Sequence, residues 1–160
     1  MVFWHIILVL NKLFHIKEGF TMVNIICGEK GKGKTKVILD KANEAVKTSG
    51  GNVVFLDKDL AHMYELNNKI RLINVKDFFV ENSGEFIGFV CGIISQDHDL
   101  EAIFLDSFLK ISLTDKETMK PVLDKIIQVA DKYSVDIILS LSVKSEELPE
   151  EYKRNVLVSL

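Results

Sequence analysis

Residues 23–39, VNIICGEKGKGKTKVIL, join a short β-branched run, a glycine-rich turn and the beginning of a helical pattern. Val23 to Cys27 is an apolar run typical of a buried strand, and apolar positions recur on one helical face between Lys34 and Val46. The turn from Gly28 to Thr35 matches the pattern GxxxxGK(S/T) completely. Because the match follows a predicted strand and begins a predicted helix, it predicts a loop that binds phosphate.

The rest of the chain repeats this alternation of strand and helix. Further apolar runs predict strands at Asn52 to Leu56, Ile70 to Val75, Ala102 to Leu105, Val135 to Leu141 and Val156 to Leu160. Periodicity predicts a second helix over Met119 to Tyr133, which opens with a capping box at Thr114-x-x-Glu117 or, because Pro121 would then lie inside the helix, begins later. A third helix, interrupted by glycines, is predicted within Phe78 to Ser95. Such alternation is typical of a parallel sheet covered by helices. We therefore predict one α/β domain over residues 22–160, with three layers and a mostly parallel sheet of five to six strands.

Composition narrows the class of protein. The chain has 160 residues, of which 48% are hydrophobic and 27% charged, as expected for one packed domain. Only two cysteines occur, Cys27 and Cys91, which excludes a disulfide framework and a four-cysteine zinc site and favours a reducing, cytoplasmic setting. The net charge is −3, and acidic and basic residues are interleaved along the chain. Without a basic stripe, binding to duplex nucleic acid is not expected.

Residues 1–21 are expected to lie outside the fold. The apolar run from Val2 to Leu10 is too short to span a bilayer, and it lacks the basic flank and cleavage site of a signal peptide, so no membrane partner is expected. Lys17-Glu18-Gly19 can be encoded by a purine-rich ribosome-binding sequence, and a short spacer separates it from Met22. We therefore predict that Met22 is the true start and that residues 1–21 are a translated leader. An amphipathic anchor or an added strand is the alternative.

The glycine-rich loop carries groups suited to a nucleotide. Its glycines let backbone N–H groups turn towards a β-phosphate, and the following helix adds partial positive charge. Lys34 is expected to reach the β- and γ-phosphates, and the Thr35 hydroxyl to complete the shell of a magnesium ion. The candidate nucleotide-binding residues here are Gly28, Glu29, Lys30, Gly31, Lys32, Gly33, Lys34, Thr35 and Lys36. The alternative is a glycine-rich turn with a chance lysine, and Lys30, Lys32 and Lys36 are equally compatible with solvated side chains.

A second element strengthens this prediction. Glu101 to Ser107 reads as an apolar strand that ends in the carboxylate of Asp106. With the loop, it resembles the Walker A and Walker B elements of the P-loop NTPases, and over residues 22–160 the chain resembles their RecA-like (ASCE) branch. The resemblance implies a three-layer P-loop NTPase fold in which Asp106 holds Mg²⁺ through water. Many of these ATPases carry a glutamate directly after this aspartate to activate water, and Ser107 stands in that place here, so hydrolysis does not follow from the motif.

The resemblance also implies residues at the ends of other strands, where ligands bind in open α/β sheets. RecA-like proteins often place the catalytic carboxylate after the second strand, which implies Asp57 as general base, with Asp59 in reserve. They also end a strand with a polar sensor of the γ-phosphate, which implies Ser140 or Ser142. A solvated acidic pair and a plain strand-to-loop transition are the alternatives. The implied catalytic residues are Lys34, Asp57 and Asp106, and the implied metal ligands are Thr35 and Asp106.

Other polar residues are expected to have no role in this site. Gln96-Asp97-His98-Asp99 precedes the strand that ends at Asp106, so we expect a surface loop at the opposite edge of the sheet. His62 is expected to have no partner.

The nucleotide is expected to be ATP, because the NKxD element of GTPases does not follow the strand that ends at Asp106. The chain's size and its GEKGKGKT loop are also similar to small clostridial ATP-binding proteins often labelled "twitching motility protein PilT". A true retraction motor has a further domain and a hexameric ring, for which residues 22–160 leave no room. The resemblance implies a slow ATPase or a nucleotide-gated switch, acting with a protein partner or as a homo-oligomer. A small-molecule kinase of the nucleoside type and a non-hydrolysing ATP-binding structural subunit are the alternatives.

Overall fold

In the computed structural model, which describes residues 21–160, six strands form one sheet. The strands are β1 (Val23–Cys27), β2 (Asn52–Asp57), β3 (Arg71–Asn74), β4 (Leu100–Leu105), β5 (Asp136–Leu141) and β6 (Val156–Ser159). Their order across the sheet is β3-β2-β4-β5-β1-β6, and every neighbouring pair is parallel. The prediction of an α/β domain with a parallel sheet is therefore confirmed, and β5 lies between β1 and β4.

Helices cover both faces of this sheet. They are α1 (Lys34–Thr48), α2 (Ser83–Gln96), α3 (Phe108–Ile111), α4 (Met119–Tyr133) and α5 (Glu150–Lys153), with 3-10 turns at Val75–Phe78 and Ser145–Glu147. Strand side chains alternate between two cores with period two. Ile26 and Phe55 pack with α1 on one face, whereas Ile25 and Leu56 belong to the core shared with α2 and α4 on the other. The α1 layer, the sheet and the α2–α4 layer make three layers.

The parallel arrangement brings the functional loops together. Parallel strands all end at the same edge of a sheet, so the segments that follow β1, β2, β4 and β5 meet there. The glycine-rich loop, Asp57, Asp106 and the end of β5 therefore all lie at this edge. The loop at 97–99, which precedes β4, lies at the opposite edge, as the sequence predicted.

One predicted helix cap and the bounds of one predicted helix differ from those observed, whereas the helix predicted over Met119 to Tyr133 is confirmed. The capping box at Thr114 is wrong, because α4 begins at Met119 and Asp115 Oδ1 instead accepts hydrogen bonds from the backbone N–H groups of Glu117 and Thr118. Pro121 consequently lies in the first turn of α4, where its missing N–H has no helical partner to lose. The helix within 78–95 is displaced to Ser83–Gln96, because Asn82 caps it by accepting from the Glu85 N–H.

The predicted leader falls outside the described residues, apart from Thr21. The Thr21 hydroxyl accepts a hydrogen bond from the side-chain amide of Asn155 at 2.7 Å. Among residues 21–160, no helix is long and apolar enough to cross a membrane.

Gly51 offers a test of the sheet's packing. A Cβ atom there would lie 2.1 Å from the backbone oxygen of Asp99, where the chain enters β4. We expect Gly51→Ala to lower the free energy of unfolding by about 1–3 kcal/mol. The added Cβ would clash with backbone of Asp99, which moves aside less easily than a flexible side chain does. The measurement is urea denaturation.

Gly88→Ala is the matched control. Gly88 is exposed on α2 with no atom within 4 Å of the added Cβ, so this change should raise stability by roughly 0.5–1 kcal/mol. Equal effects of the two substitutions would contradict the packing described here.

Candidate functional site

The glycine-rich loop adopts a conformation that its glycines make accessible. Gly28, Gly31 and Gly33 have φ angles of 150°, 84° and 90°, which L side chains rarely adopt. A Cβ at Gly28 would lie 2.7 Å from the Leu160 backbone oxygen, whereas Cβ atoms at Gly31 and Gly33 would meet nothing within 4 Å. The base of the loop is therefore packed tightly and its far side is open to a ligand.

Lys34 crosses the inside of this loop. Lys34 is only 8% exposed, and its Nζ donates a hydrogen bond to the backbone oxygen of Glu29 at 2.8 Å. Burial lowers the pKa of Lys34, and the nearby negative charge of Asp106 opposes that shift. A poorly solvated ammonium at a helix N-terminus is suited to an anion such as phosphate.

Asp106 is the centre of a buried hydrogen-bond network. Its Oδ2 accepts from the Thr35 hydroxyl at 3.0 Å, and its Oδ1 accepts from the Ser140 hydroxyl at 2.5 Å. The Ser140 oxygen in turn accepts from the Ser107 backbone N–H at 2.8 Å. The network joins α1, the end of β4 and β5, and it brings together the two residues predicted to bind the metal.

Ser140 therefore holds Asp106 through a hydrogen bond to Oδ1. The sequence predicted Ser140, or Ser142, as a sensor of the γ-phosphate. Ser140 is buried and both of its hydrogen bonds serve Asp106 and the turn at Ser107, whereas Ser142 is exposed. Ser107 has a left-handed φ of 54°, which turns the chain from β4 into α3.

Asp57 is a buried carboxyl with incomplete hydrogen bonding. It is 1% exposed, its Oδ1 accepts from the Lys58 N–H at 2.6 Å, and its Oδ2 has no partner among the described residues. Burial is the main cause that raises the pKa of Asp57 to about 6. The negative charges of Asp106 and Asp59 add to the shift, while the Lys58 N–H and His62 oppose it. Such a group can exchange a proton near neutral pH.

The prediction that His62 has no partner is wrong. Its Nδ1 lies 2.7 Å from Glu65 Oε1, and this hydrogen bond is the main cause that raises the pKa of His62. The charges of Asp57 and Asp106 raise it further, so His62 lies within electrostatic range of the site. A histidine and a glutamate three residues apart, just after a strand's carboxyl end, were the signal in the sequence.

A cavity of about 250 Å³ lies beside His62. Its lining residues are Thr35, Lys36, Leu39 and Asp40 of α1, with His62 and Glu65 of the segment after β2. Thr35 thus belongs both to the Asp106 network and to the cavity wall.

Several predicted residues lie outside this cluster. Lys30 and Lys32 are exposed, and Lys36 pairs with Asp40 on the surface of α1. The Glu29 carboxylate pairs with Lys144 at 3.2 Å, and Asp59 pairs with Lys58 at 3.3 Å. The loop at 97–99 is a surface loop, as predicted, in which Asp97 accepts from the Asn52 side chain.

Comparison with known proteins does not assign this chain to a family. No protein-family model matches the chain, and no curated protein matches it significantly. The geometry itself combines an open glycine loop at a helix N-terminus, a desolvated lysine and a hydroxyl–carboxylate pair. Such groups together can bind a polyphosphate and, through oxygen ligands, a magnesium ion.

Ser140→Ala tests the positioning role of this residue. It removes the donor to Asp106 and the acceptor for the Ser107 N–H, so the ligand-free protein should lose about 1–3 kcal/mol of stability in urea denaturation. Ser142→Ala, at an exposed position, should change stability by less than roughly 0.5 kcal/mol. A residue that contacted only a bound phosphate would leave the ligand-free stability unchanged, and that result would refute the positioning role.

Asp57 makes the stability of the protein depend on pH. Because its folded-state pKa of about 6 lies above the ordinary value of 3.8, the folded state retains this proton to higher pH than the unfolded chain does. The resulting stabilisation is complete below about pH 4 and is lost as the pH rises through about 6. The loss is on the order of 2–3 kcal/mol.

Asp57→Asn should remove this loss. We expect the variant to be more stable than the natural protein by roughly 2 kcal/mol at about pH 7.5, with a flatter pH profile between about 4 and 6. Asp131→Asn, at an exposed position, is the control for the change in net charge. Urea denaturation across pH measures both, and an Asp57→Asn protein that is no more stable at neutral pH would show that the carboxylate is well solvated.

Proposed function

We propose that the protein is a cytoplasmic Mg-ATP-binding protein of the P-loop type, with slow ATPase activity or a nucleotide-gated switch. The observation that carries this proposal is the meeting of Lys34, Thr35 and Asp106 at the open glycine loop. Lys34 and Thr35 come from the loop and α1, whereas Asp106 comes from the end of a strand 71 residues further along the chain.

The strand order supports the RecA-like resemblance. The strand with the glycine loop at its end, β1, is separated from the strand that ends at Asp106 by one additional strand, β5. This is the arrangement from which the additional-strand ATPases take their name. Ser140 lies on that additional strand and touches Asp106.

The residues present fit Mg²⁺. The Thr35 hydroxyl and the Asp106 carboxylate lie 3.0 Å apart, and magnesium prefers oxygen ligands from one or two protein groups together with water and phosphate. A bound Mg²⁺ neutralises charge on the phosphates. Thr35 would hold it through a lone pair of its hydroxyl oxygen and Asp106 through water, and the hydroxyl could still donate its proton to Asp106.

Lys34 binds the phosphates in this proposal. Its ammonium already spans the loop to the Glu29 oxygen, so a bound phosphate would replace one hydrogen-bond acceptor by a stronger, charged one. Burial leaves the ammonium little competing water. Releasing the Glu29 carbonyl would change the hydrogen bonding of the loop, which is the proposed basis for a switch.

Asp57 is the proposed acceptor of a proton during turnover. Its unpartnered Oδ2 and its raised pKa make it a base that is ionised, yet still basic, near neutral pH. Ser107 offers no second carboxylate next to Asp106, so turnover is expected to be slow without a partner.

Exposed apolar side chains offer a surface for such a partner. Leu60, Met63, Tyr64, Phe78, Phe79 and Leu113 are all about half exposed or more. They lie in segments that follow β2, β3 and β4, at the edge of the sheet that carries the site. A change at the glycine loop or at Asp106 would reach a protein partner or a second copy most directly through these segments.

Lys34→Ala tests the proposal. Loss of a charge-assisted contact should raise the Kd for Mg-ATP by about 10- to 100-fold in calorimetric titration, and phosphate release should fall with it. Lys47→Ala, which removes an exposed lysine from the last turn of α1, should leave both unchanged. Mg-GTP should bind more weakly than Mg-ATP. Equal Mg-ATP affinity in the natural protein and Lys34→Ala, or no affinity in either folded protein, would refute the proposed site.

A further inference from the structure

The two outer strands of the sheet differ in how well they are protected from pairing with another chain. β3 forms one side of the sheet and begins with the exposed, charged Arg71, whereas β6 forms the other side. Over residues 156–160 the sequence VLVSL carries no charge and no proline. β1 pairs with one side of β6, and no strand within residues 21–160 pairs with its other side. Because natural proteins usually protect an outer strand with charges or proline, β6 is a surface on which a further strand can pair.

Contacts with β1 fix both ends of β6. The side-chain amide of Asn155, directly before the strand, donates to Thr21 Oγ1 at 2.7 Å and to the Val23 backbone oxygen at 2.9 Å. At the other end, the Leu160 N–H donates to the Cys27 backbone oxygen at 3.0 Å. The outer hydrogen-bonding groups of β6 are therefore already held in an extended conformation, and a strand that pairs with them does not have to order them first.

The apolar side chains of this strand are incompletely covered. Val156 and Val158 are half-buried and each packs against one of the two cores. Leu157 and Leu160, by contrast, are 46% and 44% exposed. Neighbouring strands cover each other's side chains, so a strand paired with β6 would remove part of this apolar surface from water.

Opposite charges lie at the two ends of β6. Arg154 precedes the strand and is exposed. At the strand's end, the Ser159 hydroxyl lies 3.2 Å from the Ser145 hydroxyl, and Ser145 is followed by the exposed Glu146. A parallel pair of β6 strands would bring like charges together. An antiparallel pair would bring each arginine towards the glutamate of the other copy, and this complementarity favours a second copy of the chain as the partner.

We propose that β6 pairs with β6 of a second copy, antiparallel about a twofold axis at Leu157, so that the two sheets become one. The axis places Leu157 opposite Leu157 of the partner subunit, and Arg154 beside Glu146 of the partner subunit. This surface is separate from the exposed apolar side chains in the segments after β2, β3 and β4. The carboxyl edges of the two sheets then face opposite directions, so each copy keeps its own glycine loop accessible.

Sedimentation equilibrium of the full chain tests the association. Two short strands form a small interface, so we expect a dimer with a Kd on the order of 10–100 µM. Leu157→Lys places a charge on the outer strand and should raise this Kd by at least about tenfold. Leu60→Lys is the matched control, because Leu60 is 45% exposed in the segment after β2, and it should leave the Kd unchanged.

A charge exchange tests the antiparallel arrangement. Arg154→Glu places like charges opposite each other and should raise the Kd of the dimer by about three- to tenfold. Adding Glu146→Arg to the same chain should restore the natural Kd, because each new arginine then meets the new glutamate of the other copy. Both positions are exposed, so the folded monomer should tolerate both changes.

A disulfide tests the position of the axis. Directly opposite residues of antiparallel strands have Cα atoms about 4.5–5.5 Å apart, a separation that a disulfide can bridge. Leu157→Cys should therefore form a covalent dimer on mild oxidation at least about tenfold faster than Leu60→Cys does. The natural protein, whose cysteines are the buried Cys27 and the half-buried Cys91, is the background control.

The outcomes decide between this surface and the others. A full chain that stays monomeric up to about 500 µM would overturn the proposal, whether residues 1–20 cover β6 or no strand does. A dimer weakened by Leu60→Lys and not by Leu157→Lys would also overturn it, because the contact would then lie near the glycine loop. Failure of Glu146→Arg to restore the dimer of Arg154→Glu would overturn the antiparallel arrangement. Leu157→Lys should bind Mg-ATP with the natural affinity, so the dimer and the proposed nucleotide site can fail independently.

Discussion

The carboxylate of Asp106 is the interaction on which the site depends. A buried carboxylate is tolerated only when its oxygens are satisfied, and here Thr35 and Ser140 each donate to one of them. The backbone N–H of Asp106 donates in turn to the Leu56 oxygen at 3.0 Å. One residue thus fixes the relative positions of α1, β2, β4 and β5 at the edge where their loops meet. The nearby ammonium of Lys34 offsets the negative charge of Asp106, and Asp106 in turn stabilises the charged form of Lys34.

The parallel sheet explains why polar groups gather at this edge. The central strands β1, β2, β4 and β5 bury apolar side chains on both faces, because α1 covers one side and α2 and α4 cover the other. Buried polar side chains therefore lie mostly near strand ends, and the carboxyl ends of β2 and β4 place Asp57 close enough to Asp106 for the charge of Asp106 to raise the pKa of Asp57. Burial is the main cause of that shift, to about 6, and Asp57 Oδ2 has no hydrogen-bond partner among the described residues. Groups of this kind destabilise a folded protein and are typical of functional sites.

The sequence predicted the parts of this structure that depend on neighbouring residues. The glycine loop was recognisable because Gly28, Gly31 and Gly33 are spaced for one local backbone path, and the strands were recognisable as apolar runs. The β2 prediction ended at Leu56 and that of β5 began at Val135, each one residue from the observed boundary. The predicted bounds of the second helix, Met119 to Tyr133, are those of α4, but its cap was misplaced because Asp115, the next residue after Thr114, offers similar capping chemistry.

The features of the site that the sequence did not predict depend on contacts between residues that are distant along the chain. Ser140 and Asp106 are 34 residues apart, and only the strand order brings the serine to the carboxylate. The cavity at Thr35 forms because Asn43 fixes the segment between β2 and β3 on α1, and no local pattern indicates that pairing. The partner of His62, Glu65, could have been predicted from their spacing of three residues, whereas the charges of Asp57 and Asp106 reach His62 only in the fold.

The most direct test of nucleotide binding is a crystal structure of the full chain with Mg²⁺ and a non-hydrolysable ATP analogue. We expect phosphate oxygens against the backbone N–H groups of Gly31 and Gly33, the metal at the Thr35 hydroxyl, and Lys34 Nζ moved from the Glu29 oxygen to a phosphate. An ordered analogue bound elsewhere, with Lys34 still on Glu29 and the loop empty, would contradict the proposed nucleotide site.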